Sequence, residues 1–253
     1  MILIDDLNAG YGKRAVLNSI SMKIGKNSVI LGHNGSGKTT LVKALCGILK
    51  INGTIQFDKD SQKRGKLPVV SNLEEIFCFA QTPRDVSLIY SHYSHMENAD
   101  FKKYLDIFGI PYLYDKDFRE MSTGEQKIVF SCMAFASSSM NTLLDEPFEN
   151  LDPKRRRIMV NQIRELKSTT VIATHEIGIL NELDDWDVYV MHSGKIYGPA
   201  KCSEFLRSKP IKGSSEDSIM TIGSDDELIS FVLSDKGEME LYGNIDEMLQ
   251  KIY

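Results

Sequence analysis

The chain has 253 residues, of which 42% are hydrophobic and 26% are charged, and its formal net charge is −5. These values are typical of a soluble globular protein with one substantial domain and an extension. The negative charge gives no electrostatic reason to expect a nucleic-acid partner, because binding to a phosphate backbone needs clustered cations. No apolar run approaches the roughly 18 residues that span a bilayer.

The first residues predict a strand. The apolar run Met1–Ile4 is followed at once by Asp5 and Asp6, so it is too short for the apolar core of a signal peptide. Tyr11 lies a few residues further on. Taken alone, this tyrosine is typical of a half-buried strand residue.

A glycine-rich motif then joins an apolar run, residues 28–31, to a helical pattern over residues 41–49. It fits G-x-x-x-x-G-K-[ST] and consists of Gly32, His33, Asn34, Gly35, Ser36, Gly37, Lys38 and Thr39. The glycines let backbone N–H groups turn inward, and the following helix adds its positive N-terminal end. Lys38 can reach the β- and γ-phosphates of a nucleotide, and Thr39 offers a hydroxyl to Mg²⁺. The motif therefore predicts a phosphate-binding loop.

Three further apolar runs end in polar side chains. They are residues 76–80 before Gln81, residues 141–144 before Asp145 and Glu146, and residues 170–174 before His175. Each alone is common loop chemistry. Because ligands bind at the carboxyl ends of strands in an open parallel sheet, we predict that all three runs are strands that deliver these side chains to one edge. Asp145 would hold Mg²⁺, usually through water, and Glu146 would polarise the attacking water.

Between Gln81 and Met121 the pattern becomes helical. Apolar residues recur at helical spacing between Asp100, a candidate N-cap, and Gly109, a candidate stop. They are Phe101, Tyr104, Leu105 and Phe108. His92 and His95 could suggest a metal, but no Cys or second His pair supports one.

The segment Met121–Gln126 reads MSTGEQ. Ser122 and Glu125 have the spacing of a capping box, which predicts a helix start. Together with the glycine loop and the acidic pair, the segment resembles the signature sequence of ATP-binding-cassette (ABC) ATPases, usually written LSGGQ or LSGGEQ. The resemblance covers about residues 1–200. Thr123 stands where the family usually has Gly, and Ile128 stands where an Arg is often found.

The resemblance implies an α/β fold with a P-loop NTPase core and a mainly parallel sheet. An antiparallel β part would precede this core, and a small helical subdomain at about residues 82–135 would carry the signature. The family domain would occupy residues 1–205 and an extension residues 206–253.

The resemblance also implies ATP and Mg²⁺ as cofactors and assigns the site residues. Catalytic roles fall to Lys38, Gln81, Glu146 and His175, and metal ligation falls to Thr39, Gln81 and Asp145. Nucleotide contacts come from the whole glycine motif and from Thr40, Tyr11, Ser122, Thr123, Gly124, Glu125 and Asp152. Among these, Tyr11 would stack on adenine and the signature residues would grip the γ-phosphate of ATP held by another subunit.

After about Lys201 the resemblance fades. Residues 201–207 predict a closing helix, residues 212–218 are polar and linker-like, and residues 228–233 and 238–242 could form a hairpin. Asn244 could cap a last helix. The extension is either a packing appendage or a regulatory or dimerising element.

The sequence therefore predicts an ATPase subunit of a membrane transporter, lying on the cytoplasmic face of the cell membrane. Its partners would be a second nucleotide-binding subunit and a separate transmembrane protein, and no nucleic acid is expected. One alternative is a soluble ABC ATPase that acts on a cytosolic assembly, such as iron–sulfur-cluster construction or ribosomes. Another is a nucleotide-binding regulator or a P-loop kinase. The four cysteines form no C-x-x-C pair, which suits buried thiols in a reducing cytosol.

Overall fold

The computed structural model describes residues 1–58, 67–77, 79–94, 98–137, 139–223, 227–235 and 237–252. The chain forms two compact units. The first contains Met1 and Phe57–Val171, and the second contains Ile2–Gln56 and Ile172–Tyr253. None of the helices in the described ranges has the length and apolar character needed to span a bilayer.

The strands and helices occur mostly in runs of one kind along the chain. The strands are β1 Ile2–Tyr11, β2 Arg14–Ile24, β3 Ser28–Gly32, β4 Ile51–Phe57, β5 Val70–Ser71, β6 Asn141–Asp145, β7 Thr169–Thr174, β8 Asp187–His192, β9 Lys195–Lys201, β10 Ser208–Lys212, β11 Ser218–Ile222 and β12 Ile229–Leu233. The helices are α1 Lys38–Leu45, α2 Glu74–Phe77, α3 Pro83–Ser94, α4 Asn98–Ile107, α5 Thr123–Ala136, α6 Pro153–Glu165, α7 Cys202–Leu206 and α8 Ile245–Ile252. Short 3-10 helices lie at Pro111–Asp115, Phe118–Glu120, Ile177–Glu182 and Glu238–Leu241.

The second unit begins with the predicted antiparallel β part. β1 lies between β2 and β4, and it pairs antiparallel with β2. Further on, β3 pairs parallel with β8, and β8 pairs antiparallel with β9. All five residues of β3 are buried, as expected for a strand that is covered on both faces of a parallel sheet.

The end of the second unit differs from the predicted hairpin. β12 lies between β10 and β11 in an antiparallel sheet. Residues Glu238–Leu241 form a 3-10 helix instead of a strand, because Gly237 turns the chain with a φ of 58° and Met239 is fully buried. The closing helix α7 and the last helix α8 are both confirmed.

The first unit contains β5, which pairs parallel with β6, and the helices α2 to α6. The parallel pairs in the two units and the antiparallel N-terminal part confirm the predicted α/β class. Helix α4 contains the predicted apolar stripe but begins at Asn98, so Asp100 lies in its first turn and is not its N-cap. Gly109 ends the helix with a φ of 70°, as predicted.

The predicted strand over residues 76–80 is wrong. Glu74–Phe77 form a short helix, which places Leu73 and Phe77 on one buried face. The Phe77 ring lies 5.3 Å from that of Tyr90 and 5.5 Å from that of Phe130. This aromatic packing favours the helical turn over an extended strand. Cys78, in the predicted strand, and His95, the second candidate metal ligand, lie outside the described residues.

Candidate nucleotide-binding site

The glycine-rich loop leaves β3 at Gly32 and enters α1 at Lys38, so the predicted strand–loop–helix context is confirmed. The helix is shorter than predicted, because it ends at Leu45 and Gly47 turns the chain with a φ of 73°. The Lys38 ammonium donates to the Gly32 carbonyl at 2.7 Å and to the His33 carbonyl at 3.3 Å. These bonds place the lysine side chain along the inside of the loop.

Two glycines of this loop have no room for a side chain. A Cβ on Gly32 would lie 2.6 Å from the Ser36 hydroxyl oxygen and 2.7 Å from the Met191 carbonyl oxygen. On Gly37, which has a φ of 114°, it would lie 2.9 Å from Cε of Met191. The backbone of the loop therefore depends on glycine at both positions.

The interior of the loop has the chemistry of a phosphate site. The Ser36 hydroxyl is buried and has no hydrogen-bond partner among the described residues. A buried unpaired hydroxyl is costly unless a ligand satisfies it. The side chains of Thr39 and Thr40 lie in the first turn of α1, half-buried and buried respectively. A phosphate fits this combination of a lysine, hydroxyls and a helix N-terminus.

A second histidine lies beside the loop. The rings of His33 and His192 are 5.4 Å apart, and His192 is the last residue of β8. Burial, and then the neighbouring His33, lower the pKa of His192 below its usual value. His192 was not predicted from the sequence, although it ends a largely buried strand, and His175 directly follows the buried strand β7.

Tyr11 ends β1 and exposes 47% of its surface, so its ring is accessible to a flat partner. It lines an open pocket of about 580 Å³ together with Lys13, Arg14 and Lys50. His175 is half-buried directly after β7. These residues and the glycine-rich loop all belong to the second unit.

In the first unit, β6 confirms the predicted strand and places Asp145 at its carboxyl end, with 8% of the residue exposed. The next residue, Glu146, has a φ of 44°. This left-handed backbone is unfavourable for a residue with a side chain, and such strain is found mainly at functional sites. Glu146 therefore has a strained main-chain conformation directly after the strand residue Asp145.

Asn72 fixes the main chain of Asp145. Its side-chain oxygen accepts from the Asp145 N–H at 2.8 Å, and its amide nitrogen donates to the Asp145 carbonyl at 3.2 Å. Because Asn72 follows β5, its side chain extends the pairing of β5 with β6 by one step. The strand that pairs with β6 here is β5, and Asn72 lies at its carboxyl end. Gln81, which was predicted to follow a strand, does not lie there.

The helix that follows the signature also contacts Asp145. Lys127 donates through its ammonium to the Asp145 carbonyl at 3.2 Å, and its own carbonyl accepts from the Ser131 hydroxyl at 2.8 Å. The Ser131 hydroxyl in turn lies 3.5 Å from the Asn72 amide nitrogen. Asn72, Lys127 and Ser131 were missed because nothing in a linear motif indicates which strands and helices will be neighbours.

The signature residues form the predicted helix start. Ser122 is the N-cap of α5, and its hydroxyl accepts from the Glu125 N–H at 3.2 Å. The Glu125 carboxylate accepts from the Ser122 N–H at 2.9 Å, and this bond is the main cause of the lowered pKa of Glu125. Thr123 is the first helical residue and is exposed. A Cβ on Gly124 would lie 2.7 Å from the Asn150 carbonyl oxygen. The loop that contains Asn150 therefore packs directly on the signature.

Gln81 is exposed, and its carbonyl accepts from the Phe118 N–H at 3.0 Å. The Phe118 carbonyl accepts from the side chain of Gln126 at 2.6 Å. The main chain at Gln81 is thereby connected to the signature helix. Asp152 caps α6 by accepting from the N–H groups of Lys154 and Arg155, each at 3.0 Å.

The described residues contain no group of three or more His, Cys, Asp and Glu that could hold a metal ion by themselves.

Comparison with known proteins defines the class. A family profile described as ABC transporter matches residues 17–149. A putative ABC transporter ATP-binding protein of Archaeoglobus fulgidus is 34% identical over 186 residues, which cover 68% of this chain and 78% of the relative. The manganese transport system ATP-binding protein MntB of Bacillus subtilis is 28% identical over 219 residues, 78% of this chain and 86% of the relative.

The fold agrees with this class. The structure of a putative cobalt transport ATP-binding protein (cbiO-2) superimposes with a TM-score of 0.90 at 27% identity, and the match covers 100% of both chains. The chain thus belongs to the ABC transporter family. It is an ATP-binding subunit of the family and an ATPase.

Proposed function

We propose that this chain uses hydrolysis of Mg²⁺-ATP to drive a separate membrane protein, as the ATPase subunit of an ABC transporter. The observation that carries the proposal is the glycine-rich loop, in which Lys38 lies along the carbonyls and the buried Ser36 hydroxyl has no partner among the described residues. Relatives named for zinc, manganese and glutamine transport systems support the coupling to transport.

The residues of the site divide the work between binding and chemistry. The inward-facing N–H groups of the loop and the Lys38 ammonium would hold the phosphates. Thr39 and Asp145 would supply hard oxygen ligands to Mg²⁺, with Gln81 as a further ligand. When bound, the ion would neutralise charge on the phosphate oxygens. The Tyr11 ring would stack on adenine.

Glu146 would polarise the attacking water through its carboxylate, and His175 would contact the γ-phosphate. The exposed start of α5, with Ser122, Thr123 and Gly124, would bind the γ-phosphate of ATP on a second subunit through the positive end of the helix. The Glu125 carboxylate stabilises the start of α5 by accepting from the Ser122 N–H. The Asp152 carboxylate stabilises the start of α6 by accepting from the Lys154 N–H.

The proposed assembly contains two nucleotide-binding subunits, which lie on the cytoplasmic face of the membrane, and a separate transmembrane protein. One glycine-rich loop and one signature occur in the sequence, so each ATP would need a signature from another chain. Within this chain we assign residues 1–205 to the nucleotide-binding domain, with its helical subdomain at about 82–135, and residues 206–253 to the extension.

Substitution of Lys38 tests the site. Lys38→Ala is expected to remove ATP hydrolysis, because it deletes the cation that lies along the phosphate loop. Phosphate release by the purified protein is the measurement, and Lys195→Ala, at an exposed position of β9, is the matched control. Turnover of the Lys38→Ala variant at the wild-type rate would overturn the assignment.

Purification from gently solubilised native membranes tests the partner. A multi-spanning protein is expected to accompany the chain. Recovery of a soluble cytosolic assembly in its place would instead favour an ABC ATPase without a membrane partner.

A further inference from the structure

The segment before α8 pairs with the loop after β7. The Ile245 N–H donates to the His175 carbonyl at 3.0 Å, and the Ile177 N–H donates to the Gly243 carbonyl at 3.2 Å. Between these bonds, Glu176 and Asn244 face each other as an antiparallel bridge. We call this pairing of residues 175–177 with residues 243–245 the clasp.

The extension side of the clasp is itself firmly held. The Asn244 side chain accepts from the Glu247 N–H at 2.8 Å, and the Glu247 carboxylate accepts from the Gly243 N–H at 3.1 Å. Glu247 also accepts from Lys251 at 3.0 Å, and this contact is the main cause of its lowered pKa. The N-terminus of α8 is therefore stabilised by side chains of the extension itself, in addition to its contacts with the loop after β7.

Apolar burial reinforces both sides. Ile177 is fully buried at the start of its 3-10 helix, and Ile245 and Met248 are buried on α8. Helix α8 also contacts β3, the strand that leads into the glycine-rich loop, and β10. All these residues lie in the second unit.

The pairing supplies an acceptor to an N–H group at the start of α8. The first N–H groups of a helix have no acceptor within the helix. The His175 carbonyl accepts from one of them, at Ile245, the first residue of α8. The main chain of His175 is thus attached to the extension by a bond to the first N–H group of α8.

We propose that the segment Gly243–Ile245 is a positioning element for His175, so that the extension sets the place of the side chain that we assign to the γ-phosphate. The inference rests on the function proposed for His175. The extension would then take part in the ATPase mechanism. The sequence alone was compatible with a packing appendage and with a regulatory or dimerising element.

Substitution at Ile245 tests the clasp. Ile245→Pro removes the N–H that donates to His175, while proline suits the first position of a helix and the extended residue before it. Ile245→Ala keeps the N–H and loses a comparable part of the side chain. We expect kcat of the Pro variant to be about tenfold below that of the Ala variant, since a misplacement of ~1 Å can cost on the order of 10²-fold. The ATP dissociation constants of the two variants should agree.

Two outcomes would overturn the inference. Equal kcat values for the Pro and Ala variants would show that the N–H does not position His175. A change in ATP affinity without a change in kcat would show that the segment acts on nucleotide binding.

The His175→Ala variant separates this inference from the proposed function. Wild-type turnover in His175→Ala would refute the role of His175 and the clasp with it. If His175→Ala loses turnover, Ile245→Pro should lower the remaining rate no further in that background, because the two changes act through one group. An additive loss would refute the clasp alone.

Hydrogen exchange of the wild-type chain provides a measurement that does not depend on the folding of a variant. The N–H groups of Ile245 and Ile177 should exchange slowly, and a non-hydrolysable ATP analogue should change the exchange of both together. Fast exchange at either residue, or a response at only one of them, would contradict the clasp.

Discussion

The Asn72 side chain forms hydrogen bonds like those of the main chain of a neighbouring strand. Its two bonds to the N–H and carbonyl of Asp145 reproduce the bonds that a neighbouring strand would make. Asn72 is buried, as is Asp145. The main chain of Asp145 is therefore held by an amide side chain that lies 73 residues away in sequence.

Asn72→Ala is expected to lower both stability and turnover. The substitution removes the Asn72 acceptor of the buried Asp145 N–H and one of the two donors to the Asp145 carbonyl, which also accepts from Lys127. Loss of such buried bonds costs about 1–3 kcal/mol. Urea unfolding of the full chain and phosphate release are the two measurements. Asn52→Ala, at an exposed residue of β4, is the matched control, and similar values for the two variants would contradict the role of Asn72.

At this scale the sequence predicted the residues whose roles follow from a short linear motif. The glycine-rich loop, the capping box at Ser122 and the acidic pair after β6 are in the predicted local contexts. Asn72, Phe118 and His192 were not predicted, because their roles depend on which strand or helix lies next to them. The assigned chemistry of the motif residues stays a prediction.

Helix and strand predictions succeeded where one periodic pattern extended over many residues. Helix α4, with its predicted apolar stripe, agrees with the prediction. The two failures, at residues 76–80 and at residues 238–242, are short apolar stretches without a clear period. In stretches of this length, tertiary packing determines the conformation. The Phe77 ring packs on the Phe130 ring from a short helix, and Met239 is buried in a 3-10 helix.

The start of α5 packs against the loop after Glu146. This contact predicts the effect of adding a methyl group at Gly124. Gly124→Ala is expected to destabilise the chain by about 1–3 kcal/mol, because its Cβ would meet the Asn150 carbonyl at 2.7 Å. Chemical denaturation measures the change in unfolding free energy. A Cβ on Gly25 would have no atom within 4 Å, so Gly25→Ala is the control, and an equal effect of the two substitutions would contradict the packing.

At the level of the whole molecule, the second unit is built from both ends of the chain, whereas the first unit is nearly all one continuous middle segment. The extension belongs to the same unit as the glycine-rich loop and His175. A boundary at residue 205 in sequence is therefore not a boundary between these compact units.

The proposed assembly predicts the behaviour of Glu146→Gln. This variant should still bind ATP but hydrolyse it on the order of 10²-fold more slowly, because it lacks the carboxylate that we assign to the activation of water. Slow hydrolysis should trap a dimer that sediments as such in the presence of ATP. Glu165→Gln, at an exposed residue of α6, should not accumulate this species.

Sedimentation is measured for the variant alone and with its native partners. A monomer in both cases at saturating ATP would refute the proposed sandwich of two subunits.

The backbone of Glu146 also has a consequence for protein engineering. At a φ of 44°, glycine or asparagine would fit this position with less strain than glutamate. Selection for thermal stability alone would therefore favour replacing Glu146, and the stabilised chain would lack the carboxylate that we assign to the activation of water. At this position, heat tolerance and turnover are opposing design goals.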